Sequence, residues 1–158
     1  MPHSIEVTTP NDREIRVTRA FDAPRNLVFD CHTQPELVRR WLLGPPGWSM
    51  PVCEIDLRVG GKYAYVWRSD AGKGEFGMDG EYHEVVAPAR VVNVERFQGG
   101  EALCTLTLEE VDGRTLLTQT MVFGTRAERD GALQTGMTDG MRVSYDRMES
   151  LLKAQRVA

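Results

Sequence analysis

The sequence predicts an α+β domain in which a run of antiparallel strands is followed by one long C-terminal helix. Two observations point there. Between residues 52 and 123, short stretches of alternating apolar and polar residues are separated by glycine-containing turns. These connections are too short for crossovers, so consecutive strands run antiparallel. Then Met137, Met141, Tyr145, Met148 and Leu152 recur at steps of three or four, one apolar stripe along a helix. A third observation bounds the architecture. The 158 residues contain no internal repeat, low-complexity stretch or linker, which predicts a single domain over 1–158 with its core at about 13–153.

Residues 1–12 read as an irregular lead-in. From Arg13 to Phe21, Ile15, Val17 and Phe21 mark a strand. Asp22-Ala23-Pro24 then reads as a helix start, with Asp22 as the cap and Pro24 in the first turn. Leu27, Val28 and Cys31 fall at helical spacing up to Thr33. Pro35 opens a second short helix that carries Leu37, Val38, Trp41 and Leu42, and Gly44-Pro45-Pro46-Gly47 ends it.

Six strands follow. Over 52–59, Cys53, Ile55 and Leu57 face one way and Glu54, Asp56 and Arg58 the other. After Gly60-Gly61, the next strand sets Tyr63, Tyr65 and Trp67 against Lys62, Ala64 and Arg68. Phe76, Met78, Gly80 and Tyr82 share a face of the following one. The remaining strands cover 91–97, 102–110 and 115–123, the last two joined by Asp112-Gly113, a strong hairpin signal. The total is about seven strands, in the order β-α-α-β6 before the closing helix. Residues 126–133 read as a short helical turn of their own.

Composition excludes several function classes. With 41% hydrophobic and 27% charged residues, the chain is neither disordered nor fibrous. A net charge of −4 and no Lys/Arg cluster argue against nucleic acid and anionic membrane surfaces as partners. No apolar run approaches the ~20 residues of a membrane span. The N-terminus has neither the basic start nor the apolar core of a signal peptide. Cys31, Cys53 and Cys104 are scattered and odd in number, which suits free thiols in a reducing cytoplasm.

Several stretches resemble one known family. Phe21-Asp22-Ala23-Pro24, Gln34-Pro35-Glu36-Leu37 and Arg40-Trp41 are similar to the opening of the Hsp90 ATPase activator homologue-like family, within the SRPBCC (START-like, helix-grip) superfamily. Pro51 through Gly61 is similar to its second strand and turn. Gly80-Glu81-Tyr82-His83-Glu84-Val85 with Pro88-Ala89-Arg90-Val91-Val92 is similar to its middle hairpin, and 136–148 to its closing helix. The resemblance implies the helix-grip fold, a curved antiparallel sheet wrapped around the long helix with an internal cavity. It also implies a range of activities: carriers of lipids or small molecules, cyclases and hydrolases, toxin binders and co-chaperone modules. One fold hosts many functions, so the site must choose.

No recognisable catalytic motif, phosphate loop or dinucleotide fingerprint is present. His3, His32 and His83 lack metal-ligand spacing, so neither a metal nor a cofactor is expected. Glu54, Asp56 and Arg58 read as an outward face with cross-strand ion pairs. The cysteines read as buried, inert thiols.

The strongest signal is aromatic and thioether. Tyr63, Tyr65, Trp67, Phe76, Met78 and Tyr82 on the sheet would face Met137, Met141 and Tyr145 on the helix. Tyrosine needs partners when buried and methionine adapts to varied shapes, more than a tight aliphatic core requires. Trp48, in the loop after the second helix, and Trp41 before it are expected at the mouth. These side chains are read as the lining of a cavity for a small apolar or aromatic molecule, bound by shape rather than charge. Two other readings stay open: a cyclase- or hydrolase-type enzyme using the same cavity, and a co-chaperone-like interaction module. Self-association as a homodimer is also left open.

Overall fold

A computed structural model describes residues 3–157. Its elements run β1 (Glu6–Thr8), β2 (Glu14–Phe21), α1 (Arg25–Thr33), α2 (Pro35–Trp41), β3 (Trp48–Ile55), β4 (Lys62–Ser69), β5 (Glu75–Val86), β6 (Arg90–Phe97), β7 (Gly100–Val111), β8 (Arg114–Phe123), α3 (Arg126–Gln134) and α4 (Met137–Val157). All eight strands form one antiparallel sheet in the order β1-β2-β8-β7-β6-β5-β4-β3. The sheet is curved, and α4 closes the fold.

The expected seven strands become eight because β1 lies within the stretch expected to be an irregular lead-in. All three of its residues are exposed, so no hydrophobic alternation announces it. Backbone pairing with β2, Val7 opposite Val17, is what makes it a strand. The strand expected at 52–59 instead runs from Trp48 to Ile55. An irregularity between Ser49 and Val52 accommodates Pro51, which cannot donate to a ladder.

The tight hairpins are where backbone chemistry decides. Asp112 (φ 53°) and Gly113 (φ 75°) join β7 to β8, and Gln98 (φ 50°) with Gly99 (φ 80°) joins β6 to β7. Two consecutive left-handed residues match the twist of the flanking strands, and glycine takes the second place at no steric cost.

Asp22 does not cap α1. Pro24 holds the cap position without a side-chain bond. Asp22 instead accepts from Arg114 Nε at 2.7 Å and lies 2.9 Å from His3 Nε2. These contacts, with His3 first and Arg114 second, hold its carboxyl below the usual range. They tie the N-terminal segment to β8. α3 does carry a side-chain cap: Thr125 Oγ1 accepts from the Glu128 amide at 3.1 Å, and Glu128 accepts in return from Gly124 N at 3.0 Å.

The inner face of the sheet and the apolar side of α4 make one core. Ile15, Val17, Phe21 and Leu117 from the sheet, with Met148 and Leu152 from α4, are fully buried. Tyr145 meets Phe21 edge to face at 5.8 Å. Arg19 also points inward and is 3% exposed, with Nη1 2.8 Å from Asp146 on α4. The small residues of α4 have a separate task. Gly140 approaches the backbone of Gly44, and Ser144 Oγ accepts from Gly44 N at 2.9 Å. Trp67 Nε1 donates to Leu42 O at 2.7 Å from the sheet side. The segment leaving α2 is thus held between α4 and β4.

Candidate functional site

Strand pairing defines which side chains share the concave face. Tyr63, Gly80, Glu95 and Ala102 are successive partners across β4, β5, β6 and β7. One step along, Tyr82, Asn93 and Cys104 form the next row. Towards the other end, Trp67 pairs with Phe76.

The aromatic residues do meet, as a continuous layer. Tyr63 lies 5.2 Å from both Tyr65 and Tyr82, Tyr65 is 5.8 Å from Trp67, and Trp67 stacks on Phe76 at 5.1 Å. Phe76 also contacts Trp48 at 5.2 Å and Phe97 at 5.7 Å. The sheet's middle is therefore floored by rings in contact. A surface hollow of about 270 Å³ lies around the β6–β7 turn, among Gly77, Asp79, Arg96 and Glu101, on the face opposite the tyrosines.

Burial along this layer is graded. Tyr63, Tyr65, Trp67 and Tyr82 are buried, whereas Trp48, Phe76, Met78 and Phe97 are only partly so. Met137 and Met141, in the first turns of α4, are also partly buried. The residues Trp48, Phe76 and Phe97 sit at strand ends that coincide in the sheet, and α4 begins beside the segment leaving α2. The incompletely covered apolar side chains of the concave face thus gather at one end.

Trp41 and Tyr145 are placed elsewhere. They stack on each other at 5.9 Å, and Trp41 Nε1 donates to Cys31 O at 2.7 Å. His32 packs on the Trp41 edge at 5.1 Å, and burial lowers its pKa to about 4. This group forms the junction of α1, α2 and α4, behind the open end. All three cysteines are buried and free. Burial raises the Cys31 thiol to about 12, which keeps it protonated and unreactive.

The polar groups of the concave face were not visible in the alternation. Asn93 Nδ2 donates to the Tyr63 hydroxyl at 2.8 Å, and that hydroxyl donates to Val94 O at 3.1 Å. Tyr63 can lie this close because its neighbour is Gly80. A Cβ there would stand 2.5 Å from the hydroxyl oxygen. Glu95 faces inward between Gly80 and Ala102, the two smallest partners in its row. Burial raises its carboxyl pKa, and its charge in turn helps raise that of Tyr63, though burial is the larger cause there. A folded-state pKa above the unfolded one means that this carboxyl weakens the fold as pH rises through that interval.

Valine hides this pair. In Val91-Val92-Asn93-Val94-Glu95 valines stand on both faces, and Val94 is itself buried, so hydrophobicity assigns no parity. The signal that could have found Glu95 is its phase with Val91 and Phe97 in steps of two. Glu54, Asp56 and Arg58 are exposed as expected, but Arg58 pairs with Asp56 beside it at 3.0 Å rather than across strands.

Among the described residues, one set of metal-capable groups comes together: His3, Asp22 and Glu149 have donor atoms within 4.8 Å of one another. Arg114 reaches His3 Nε2 at 3.0 Å and Asp22 at 2.7 Å. Its guanidinium supplies positive charge where a cation would stand.

Comparison with known proteins agrees with this architecture. A structure of a protein from Rhodobacter sphaeroides superposes with a TM-score of 0.88 at 27% identity, covering 95% of this chain and 98% of its own. One from Staphylococcus epidermidis gives 0.81 at 28%, covering 94% of each. An AHSA1-like protein from Aeromonas hydrophila, at 19% identity and TM-score 0.71 over 86% of this chain and 93% of its own, shares the fold. No functionally curated protein matches the sequence. No helix among the described residues is long and apolar enough to cross a membrane. The sequence profile described as Activator of Hsp90 ATPase homolog 1-like protein matches residues 22–153, and the chain belongs to that family.

Proposed function

We propose that this protein binds a small apolar or aromatic molecule on the concave face of its sheet, at the end where α4 begins. The observation that carries the reading is the gathering there of partly buried Trp48, Phe76, Met78, Met137 and Met141 above a buried tyrosine layer. Apolar side chains that face inward yet keep solvent contact are surface a ligand can cover. Trp41 and Tyr145 serve as the back wall, and the polar groups of β6 orient the ligand. Burying ~200 Å² of apolar area supplies about 5 kcal/mol before ordering costs, which places a one-ring ligand near the millimolar range.

Two other readings divide on particular observations. Glu95 is the group an enzyme of this fold would use as acid or base, and chemical change of a bound ligand would be its mark. An interaction module is less well supported. Its expected apolar patch is not suggested by Val7, Val59, Val86, Leu103 and Val111, which are spread over β1, the β3–β4 turn, β5 and β7.

Cinnamyl alcohol is a suitable neutral probe. Its addition should change indole fluorescence in the wild type, and Trp48→Phe should remove part of that change. The response should survive added salt, because no charged partner is screened. An identical response in both proteins contradicts the placement of Trp48 at the opening.

A further inference from the structure

We propose that the ligand carries a protonated amine on its apolar or aromatic body, with Glu95 as its counter-ion and the tyrosine layer as its seat. This rests on the binding function proposed above and names the ligand's chemical class.

Glu95 is an inward carboxyl group placed by strand pairing beside the tyrosine layer. Among the described residues no hydrogen bond or ion pair reaches its side chain. The neighbouring cation, Arg96, turns to the opposite face and lies 3.6 Å from Glu101. Two other inward polar groups of this region are already occupied. The Asn93 amide is spent on Tyr63, and the Tyr63 hydroxyl accepts that bond while donating to Val94 O. Glu95 is thus the polar group of this row still open to a ligand.

Space and ring chemistry agree with this assignment. Glu95 stands between Gly80, over which the edge of the Tyr63 ring lies, and Ala102, which adds only a methyl group beside it. Around its carboxyl lie Tyr63, Tyr82, Phe97 and Met78 on adjacent strand positions. Aromatic faces carry negative potential and attract a cation, most strongly where water is displaced. A carboxylate anion would be repelled by Glu95 and by the rings. A neutral hydroxyl could donate one hydrogen bond to Glu95 but would leave its charge without a counter-ion. An ammonium group satisfies the carboxylate and the rings together.

Cinnamylamine, cinnamyl alcohol and cinnamate share one body and differ in the charge of the end group, so calorimetric titration of the three tests the inference. In the wild type the amine should bind about tenfold or more tightly than the alcohol, and cinnamate should bind more weakly than either. In Glu95→Gln, which keeps the side-chain shape, the amine-to-alcohol ratio should fall to about twofold or less. Alcohol binding equal to or tighter than amine binding in the wild type overturns the inference and leaves the binding function standing. An amine preference that persists in Glu95→Gln also overturns it. If neither alcohol nor amine binds, both readings fail. The ordering of the three ligands in the wild type decides the matter even where the variant does not fold.

Discussion

Met148→Asp should abolish the cooperative thermal transition or lower Tm by roughly 10 °C or more. Met148 is completely buried on α4, in one cluster with Ile15, Phe21, Leu117 and Leu152. Aspartate there must stay charged without a partner or take up a proton, and either choice loses the packing of the thioether. An uncompensated buried charge costs about 3–5 kcal/mol, against a total stability of about 5–15 kcal/mol. For a chain of this length each kcal/mol moves Tm by about 2–4 °C. Met148→Leu conserves volume and should cost less than ~1.5 kcal/mol. A Met148→Asp protein melting within about 2 °C of wild type would mean that α4 does not pack on the sheet through this face.

Gly80→Ala should be nearly as damaging although it adds one methyl group. The new Cβ would lie 2.5 Å from the Tyr63 hydroxyl oxygen and 2.6 Å from its Cε1, and would also press on the Val94 carbonyl. Tyr63 cannot stay where it is. Moving it breaks the acceptance from Asn93 and the donation to Val94 O. Overpacking costs about 1–3 kcal/mol and the unpaired polar groups a similar amount, so a fall in Tm of about 5–15 °C is expected. Gly131→Ala provides a control of opposite sign. Gly131 lies inside α3, and a Cβ added there would meet nothing within 4 Å. Alanine at that position should stabilise by about 0.5–1 kcal/mol. Thermal melts of both variants suffice. Equal, small effects would show that the row Tyr63–Gly80–Glu95 is not packed as described.

What the sequence makes legible follows from how strongly one face of each element is buried. The spacing of Met137, Met141, Tyr145, Met148 and Leu152 predicts α4 because a helix against a sheet must repeat its apolar residues near 3.6. Tyr63, Tyr65 and Trp67 are legible for the same reason on β4, where the opposite face carries Lys62 and Arg68. β1 is not, since Glu6–Thr8 buries nothing and is a strand only by pairing. Within the site, the ring layer follows from alternation, while Asn93 and Glu95 are masked by valines on both faces of β6. Depth is a further quantity that periodicity does not carry. Trp41 and Trp48 read alike as large apolar residues flanking a glycine-proline loop. Only tertiary packing separates them, Trp41 stacked on Tyr145 and Trp48 against Phe76 at the open end.

A small molecule bound as proposed enters between the start of α4 and the aromatic face of the sheet. Methionine methyl resonances report on that place directly, because Met78, Met137 and Met141 line it while Met148 is sealed in the core. Carbon–proton correlation spectra of methyl-labelled protein titrated with cinnamyl alcohol should shift Met78, Met137 and Met141 together, with one dissociation constant, and leave Met148 in place. Saturable shifts confined to other methyls, or no shift at those three while the ligand binds, would contradict it.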